Sequence, residues 1–363
     1  MAYTTSRSIT IDHTQCGSSN SSAWPFLFDS TDTTFKIVAN SGDITNSSGY
    51  DIIFTSDAGG STLLDWEIEL YDGTGGRFVA WVKIPTLSHT ADTVIYVFYG
   101  NAAITTFQGN VNGTWDSSFL LVNHYGDGST LSLTDSTSNG RNGTNSVIPI
   151  MARAGQISGA GTPHYTGLGH QAYVTYNDSG LPSSNGSRTF SLWINFEGVS
   201  LPSGYCFSTG TWLTNHEGFS LAPGRVPGIL YDGGTAYSFS YSFSNAVWYH
   251  IVITYDSASS TLSFYVDGAL IASTTVSGLN TVNPGTMYTF ETNPADYNAN
   301  IDAALDEFRI ANIAHSVDYI LAEYNNQVNP SGFYTLGSPP PSGALLQIPM
   351  TGGMKDLTGG ING

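Results

Sequence analysis

Short runs of β-type residues follow one another along most of this chain, and long helical periodicity is missing. Residues 8–11, 50–54, 66–71, 78–84 and 94–99 are examples. Clusters of Gly, Asn, Asp and Ser stand between them, as turns stand between strands. Such a chain can bury its apolar residues only by stacking sheets, so the predicted fold class is all-β. One stretch reads otherwise. Over residues 316–327, Val317, Ile320, Leu321 and Tyr324 fall at i, i+3, i+4 and i+7, which predicts one short helix near the C-terminus. Ser316 suits its N-cap, and Asp318 lies in the first turn, where the helix dipole favours an acid.

At 363 residues the chain is long enough for about two domains. The polar segment 100–112 is poor in strand signals and predicts a boundary. The expected organisation is an N-terminal β-sandwich over 1–108, a second β-rich domain over 109–337, and a tail over 338–363. Pro339, Pro340 and Pro341 open that tail and favour an extended spacer. Ser342–Gly363 is too short to fold alone and reads either as a frayed end or, because it carries Leu345, Leu346, Ile348 and Met350, as an arm added to a partner's sheet edge. Cys16 and Cys206 permit one disulfide arithmetically but read chiefly as two buried thiols.

Charge narrows the function. Ten Lys+Arg against 28 Asp+Glu give a net charge of -18. That excess repels phosphate backbones and anionic membrane surfaces, so nucleic acid is not an expected partner. No apolar run is long enough to insert in a bilayer, and residues 1–7 lack the pattern of a signal peptide. Scattered histidines and the absence of H-E-x-x-H speak against a zinc enzyme, and P-loop and dinucleotide motifs are absent.

Four segments in order, Gly49-Tyr50-Asp51-Ile52-Ile53-Phe54-Thr55, Leu63-Leu64-Asp65-Trp66-Glu67-Ile68-Glu69, Val79-Ala80-Trp81-Val82-Lys83-Ile84-Pro85 and Ile95-Tyr96-Val97-Phe98-Tyr99-Gly100-Asn101, resemble an uncharacterised β-sandwich family of microbial and phage surface proteins. That family often precedes a laminin-G-like domain. The second region resembles this partner, the concanavalin A-like jelly roll of laminin-G and pentraxin type. The residues that carry the resemblance begin with Asp135-Ser136-Thr137-Ser138-Asn139-Gly140-Arg141-Asn142-Gly143 and Phe190-Ser191-Leu192-Trp193-Ile194. They continue with Trp248-Tyr249-His250-Ile251-Val252-Ile253-Thr254-Tyr255-Asp256, Leu262-Ser263-Phe264-Tyr265-Val266-Asp267-Gly268 and Leu305-Asp306-Glu307-Phe308-Arg309-Ile310. Tyr324-Asn325-Asn326-Gln327 is similar to the end of such paired-domain proteins. The resemblance implies two sandwiches in series, the second a concanavalin A-like jelly roll.

Three constellations bear on chemistry. Asp135, Asn139 and Asn142 share one short loop that can offer oxygen ligands to Ca2+. The resemblance adds Asp306 on a late strand as the matching acid, while Asx-turns explain the same loop without a metal. Trp212 with Asn215, and Tyr231 with Asp232, pair an aromatic with polar groups in loop-like contexts and are candidate sugar contacts. Asp65, Glu67 and Glu69 alternate on one strand face. They read chiefly as a solvated face. The other reading is a hydrolase pair in Glu67 and Glu69.

No catalytic residue is therefore expected, and the expected role is a non-enzymatic binding or structural protein. The resemblance and the missing export signal together point to the exterior of a phage particle, as a capsid decoration, head-fibre or tail-adhesion protein. The jelly roll would meet glycans, and Ser342–Gly363 would meet other virion proteins. A cellular adhesin or carbohydrate-binding accessory module is the alternative. A homo-oligomer is compatible with this reading, although no heptad specifies one.

Overall fold

The computed structural model describes residues 3–163, 172–197, 205–210, 218–223, 228–232, 235–239, 241–276, 279–291 and 301–339. The tail arm beyond residue 339 lies outside the described residues. The first sandwich is built from β1 (Thr5–Ile11), β2 (Ser21–Thr31), β3 (Ile53–Thr55), β4 (Trp66–Asp72), β5 (Arg77–Leu87) and β6 (Thr93–Tyr99). A four-residue helix, α1 (Val111–Thr114), leads on to β7 (Phe119–Asn123), β8 (Thr144–Asn145), β9 (Ile150–Ala154), β10 (Gly159–Pro163), β11 (Val174–Tyr176) and β12 (Arg188–Phe196). The second domain continues through β13 (Tyr205–Gly210), β14 (Gly218–Pro223), β15 (Gly228–Asp232), β16 (Thr235–Phe239), β17 (Trp248–Asp256), β18 (Thr261–Val266), β19 (Ala269–Thr275), β20 (Met287–Glu291) and β21 (Ala303–Ala311). The chain ends in α2 (Val317–Val328), α3 (Pro330–Phe333) and β22 (Tyr334–Leu336).

The second domain is a jelly roll. One sheet runs β19-β18-β17-β12-β21-β10-β9, with β7 also on β21, and the other runs β16-β15-β14-β13-β20-β11-β8. Alternate residues of the facing strands, among them Leu192, Ile194, Ile251, Ile253, Phe264, Leu305, Phe308 and Ile310, fill the core between the sheets. The expected helix is α2, and the Ser316 side chain caps it by accepting the Tyr319 N–H at 3.2 Å.

The two sandwiches do not simply follow each other in series. The first has sheets β22-β1-β6-β3 and β2-β5-β4, so one of its strands comes from the far end of the chain. Ile9 pairs with Leu336, Thr10 with Thr335 and Ile11 with Tyr334. Its core takes in Trp115, Phe119, Tyr319, Ala322, Phe333 and Tyr334 beside its own Trp24, Phe26 and Phe28. The expected 109–337 unit is corrected accordingly: both its ends pack into the first sandwich. The physical reason is that sheet β22-β1-β6-β3 needs a partner along β1, and the apolar Phe333-Tyr334 pair finds burial only among Trp24, Phe26 and Phe28.

Asn325, Asn326 and Gln327 on α2 fasten this arrangement. Asn325 Nδ2 donates to the Gln15 carbonyl at 2.9 Å. Asn326 accepts the Leu27 N–H at 2.7 Å and donates to the Leu27 carbonyl at 3.0 Å, closing the open edge of β2 as a neighbouring strand would. Gln327 Oε1 accepts the Trp193 indole N–H from the jelly roll at 2.5 Å. Replacing Asn326 by Ala strands two buried backbone groups, so a loss of about 1–3 kcal/mol is expected in denaturant titration. A loss indistinguishable from zero would mean that water reaches this edge.

Cys16 and Cys206 are both buried and free, each in a different core.

Candidate functional site

Of the row Asp65, Glu67, Glu69, the last two do not face solvent. On β5, Phe78, Ala80 and Val82 point into the first core, while Val79 and Trp81 on the opposite face are also fully buried. A strand buried on both faces needs something over its outer side, and here that is the jelly roll. Glu67 and Glu69, side by side with Trp81 on this outer face, therefore enter the seam between the domains. Their side chains are 5% and 1% exposed. Glu67 accepts from the Trp115 indole and from Ser136 Oγ, and Glu69 from the Trp81 indole and Ser158 Oγ. Asp65, at the rim, pairs with Lys83 Nζ at 2.6 Å. The solvated-face expectation is thus corrected for Glu67 and Glu69.

The jelly roll meets them with β21. Regular alternation would send Leu305, Glu307 and Arg309 to one side, but the buried apolar residues are Leu305, Phe308 and Ile310. A β-bulge accounts for this: register with β12 shifts between Ser191 and Trp193, and Glu307 adopts φ +52°. The bulge turns Asp306, Glu307 and Arg309 together toward the first sandwich. Arg309 donates to Glu307 at 2.5 Å and to Glu323 of α2 at 2.7 Å, and its guanidinium lies 4.2 Å from the Trp81 ring centroid. His124, 9% exposed, places Nδ1 2.7 Å from Glu307 Oε1 and Nε2 3.3 Å from Glu67 Oε1.

Burial governs the electrostatics here. It pushes Glu69 up to about 8, with Glu307 adding repulsion, and pushes Asp306 well above the carboxylate range for the same reasons. Burial opposes the charge on His124, but Glu307 and Glu67 outweigh it and raise the imidazole well above its ordinary value. Burial would also raise Glu307, and the cations His124 and Arg309 reverse this and hold it low. Sequence reasoning quoted the β21 segment only for its resemblance and missed the roles of His124, Glu307 and Arg309. The available signal was the broken period in Leu305, Phe308, Ile310.

Two further histidines are held neutral. Burial, with Arg309 adding, lowers His250 to about 3, and burial lowers His315 to about 4. The unfolded chain takes up these protons below pH about 6.5 and the folded chain does not. Their contribution to stability is therefore lost as pH falls from about 6.5 through 4. His315→Phe keeps a ring against Tyr319, so its melting temperature should fall less steeply than the parent's over this window. Equal slopes would show that His315 titrates normally.

The calcium residues do not assemble a cation site. Asp135 Oδ1 accepts the N–H groups of Val122 and Thr137, and Oδ2 accepts Thr137 Oγ1 and the Arg141 N–H. Asn142 Oδ1 accepts the Asp135 N–H, and Asn139 Nδ2 donates to the Phe119 and Leu120 carbonyls. The loop is closed by Asx-type bonds, and its carboxylate lone pairs are spent on donors. Asp306 is turned instead to the domain seam. These four residues do not fit Ca2+, and no role for it is derived.

Of the sugar candidates, Trp212 and Asn215 lie outside the described residues. Tyr231 and Asp232 belong to β15, opposite Ala236 and Thr235 of β16. An open groove of about 650 Å³ lies elsewhere, between the outer face of β17–β19 and the segment leading into α2. Thr254 and Ser263 stand opposite each other on one wall, followed by Asp256 and Thr261. Leu270, Ile313 and Val317 supply apolar surface and are 51%, 45% and 50% exposed. Hydroxyls beside an apolar strip match a ligand with polar edges and C–H faces.

The family model described as the concanavalin A-like lectin/glucanases superfamily matches residues 168–321. The model of a domain of unknown function, DUF2341, matches residues 48–138. No curated protein matches the chain. Similar solved structures include the binding domain of Paraclostridial Mosquitocidal Protein 1, with 14% identity, TM-score 0.46, and coverage of 58% of this chain and 52% of that one. Domain 4 of AbnA, an extracellular arabinanase from Geobacillus stearothermophilus, in complex with arabinotriose, has 21% identity, TM-score 0.46, and coverage of 56% and 98%. The botulinum neurotoxin serotype D binding domain has 16% identity, TM-score 0.42, and coverage of 58% and 52%. The match thus spans about half the length of the toxin chains. This chain carries a DUF2341 domain followed by a concanavalin A-like domain of the lectin/glucanase superfamily.

Proposed function

We propose that this protein is a non-enzymatic glycan-binding protein, and that the groove over β17–β19 receives a neutral sugar. The observation that carries the reading is the groove's lining: hydroxyls of Thr254, Thr261 and Ser263 beside Leu270, Ile313 and Val317, on a lectin-type domain. A pyranose offers hydroxyls at its edge and C–H groups on its face, and a wall of hydroxyls and the Asp256 carboxylate beside apolar side chains holds both. The hydrolase reading of Glu67 and Glu69 loses support, because a general acid and its partner must reach the scissile bond. Both carboxylates are instead buried and hydrogen-bonded inside the seam.

Display on the exterior of a phage particle, with other virion proteins as partners, belongs to the same proposal. Its support is the tandem of a DUF2341 domain and a lectin-type domain, the pair that resembles surface proteins. Detection of this chain in purified particles, with surface accessibility to antibody, tests it. Recovery only from cell envelopes would favour the cellular adhesin.

Retention on bacterial polysaccharides and whole cells tests the glycan reading. Thr261→Arg, at the half-buried groove wall, should cut retention at least about tenfold, the size of a lost polar contact, with an unchanged melting temperature. Full retention by the variant would move the ligand elsewhere. No retention by the parent chain on any glycan would remove the reading.

A further inference from the structure

We propose that the seam between the two sandwiches binds one divalent transition-metal ion, Zn2+ or Mn2+, through Glu69, His124 and Glu307. The ligand atoms are already gathered. His124 Nδ1 lies 2.7 Å from Glu307 Oε1 and 3.6 Å from Glu69 Oε2, and all three lie within 4.8 Å of one another. Ligands about 2.0–2.2 Å from such an ion stand roughly 3–3.5 Å apart in its shell, so the three atoms need to move little.

The surroundings have the form of an outer shell. A metal-bound histidine donates its other ring N–H to a carboxylate. Here the other nitrogen, Nε2, faces Glu67 Oε1 at 3.3 Å. Glu67 is fixed in turn by Trp115 and Ser136. Glu69 is oriented by Trp81 and Ser158, and Glu307 by Arg309.

Asp306 supplies an independent observation. It is fully buried on the same face of β21, and its Oδ2 accepts the N–H groups of Gln156 and Ile157 at 2.9 and 3.0 Å. Its Oδ1 is buried with no hydrogen-bond partner. This unsatisfied carboxylate oxygen, one residue from Glu307, marks the buried layer as short of a positive partner. The bulge at Glu307, with φ +52°, is what brings Asp306 and Glu307 to one face. Backbone strain of this kind persists where surrounding interactions over-determine it.

Charge points the same way. Glu67, Glu69, Asp306, Glu307 and Glu323 are buried here against the cations Arg309 and His124, with the neutral His250 beside Glu323 and the half-buried Arg77 acting on Glu69. Such an excess must be neutralised by cations or by protons. A mixed nitrogen and oxygen set suits zinc or manganese better than calcium, which takes oxygen ligands. The seam is closed, so the ion would enter as the chain folds.

Elemental analysis of the full chain, refolded with zinc or manganese and then desalted, decides the matter. About one ion per chain is expected, with a higher melting temperature than the chain refolded in chelator. Glu67→Gln, outside the ligand set, should weaken metal affinity about 10–100-fold, the usual effect of an outer-shell partner. His124→Gln combined with Glu69→Gln should abolish retention of the ion. If the double variant still folds and retains an equal amount, the ion sits elsewhere, with the half-buried Asp12 and His13 and the exposed Asp92 the next group to test, and the proposal fails. A folded parent chain that retains no ion and melts identically in chelator would mean that protons alone neutralise the seam. Neither result bears on glycan retention, which is read at the groove over β17–β19, farther along the same sheet.

Discussion

Arg309→Met should destabilise the protein by about 3–5 kcal/mol, the cost of removing one partner from a buried ion pair. The methionine keeps much of the apolar stem but leaves the Glu307 and Glu323 carboxylates facing each other without the guanidinium that joins them. It also removes the cation from the faces of Trp81 and Trp115, at 4.2 and 4.8 Å from the ring centroids. Arg309→Lys keeps the charge but cannot fork between two carboxylates, so it should fall between the parent and Met. Chemical denaturation of the three chains measures the series. A cost for Arg309→Met below about 1 kcal/mol, the range of exposed pairs, would mean that water fills the seam.

The second large effect lies at the far end of the chain. Phe333→Ala should cost about 3–5 kcal/mol, as expected for deleting a buried aromatic ring, and the loss should appear in the first sandwich. Phe333 stacks on Trp24 at 5.7 Å and packs near Phe26 at 6.4 Å. Its neighbour Tyr334 packs on Phe26 and Phe28 at 5.2 and 5.3 Å and donates its hydroxyl to the Asp29 carbonyl at 2.8 Å. For the same reason a fragment of residues 1–108 should not fold, because it lacks β22 and the aromatic residues that close its core. Amide resonance dispersion of that fragment checks this. A well-dispersed spectrum would show that the first sandwich closes without the C-terminal segment.

The second expectation comes from contacts between residues about three hundred positions apart, Trp24 with Phe333 and Asp29 with Tyr334, and the first joins Arg309 to Trp81 and Trp115, roughly two hundred positions back. Sequence patterns read neighbours well. The alternation in β1, β4, β5 and β6 and the capped periodicity of α2 were legible because strand and helix periods depend on residues a few positions apart. The tandem of domains was legible from whole motifs. The motif Asn325-Asn326-Gln327 was also visible, but its task was not. Each of its amides bonds to a different distant element, and no local pattern encodes that.

The acidic residues divide along the same line. The loop of Asp135 reads first as a calcium site and second as Asx-turns, and its bonds follow the second pattern, since all the Asp135 donors except the Val122 N–H lie within six residues. Glu67 and Glu69 looked solvated because alternation shows only that they share a face. What covers that face is settled by β21, more than two hundred residues later. The sequence by itself determined the all-β class, most of the strands and the C-terminal helix, because these follow from local periodicity. The tertiary structure decided that the C-terminal strand completes the first sandwich, that a bulge turns Asp306 and Glu307 to one side, and that five carboxylates meet Arg309, His124 and His250 out of water. Burial is a property of the assembled surface, and it is burial that turns an ordinary charged row into a coupled ionic seam.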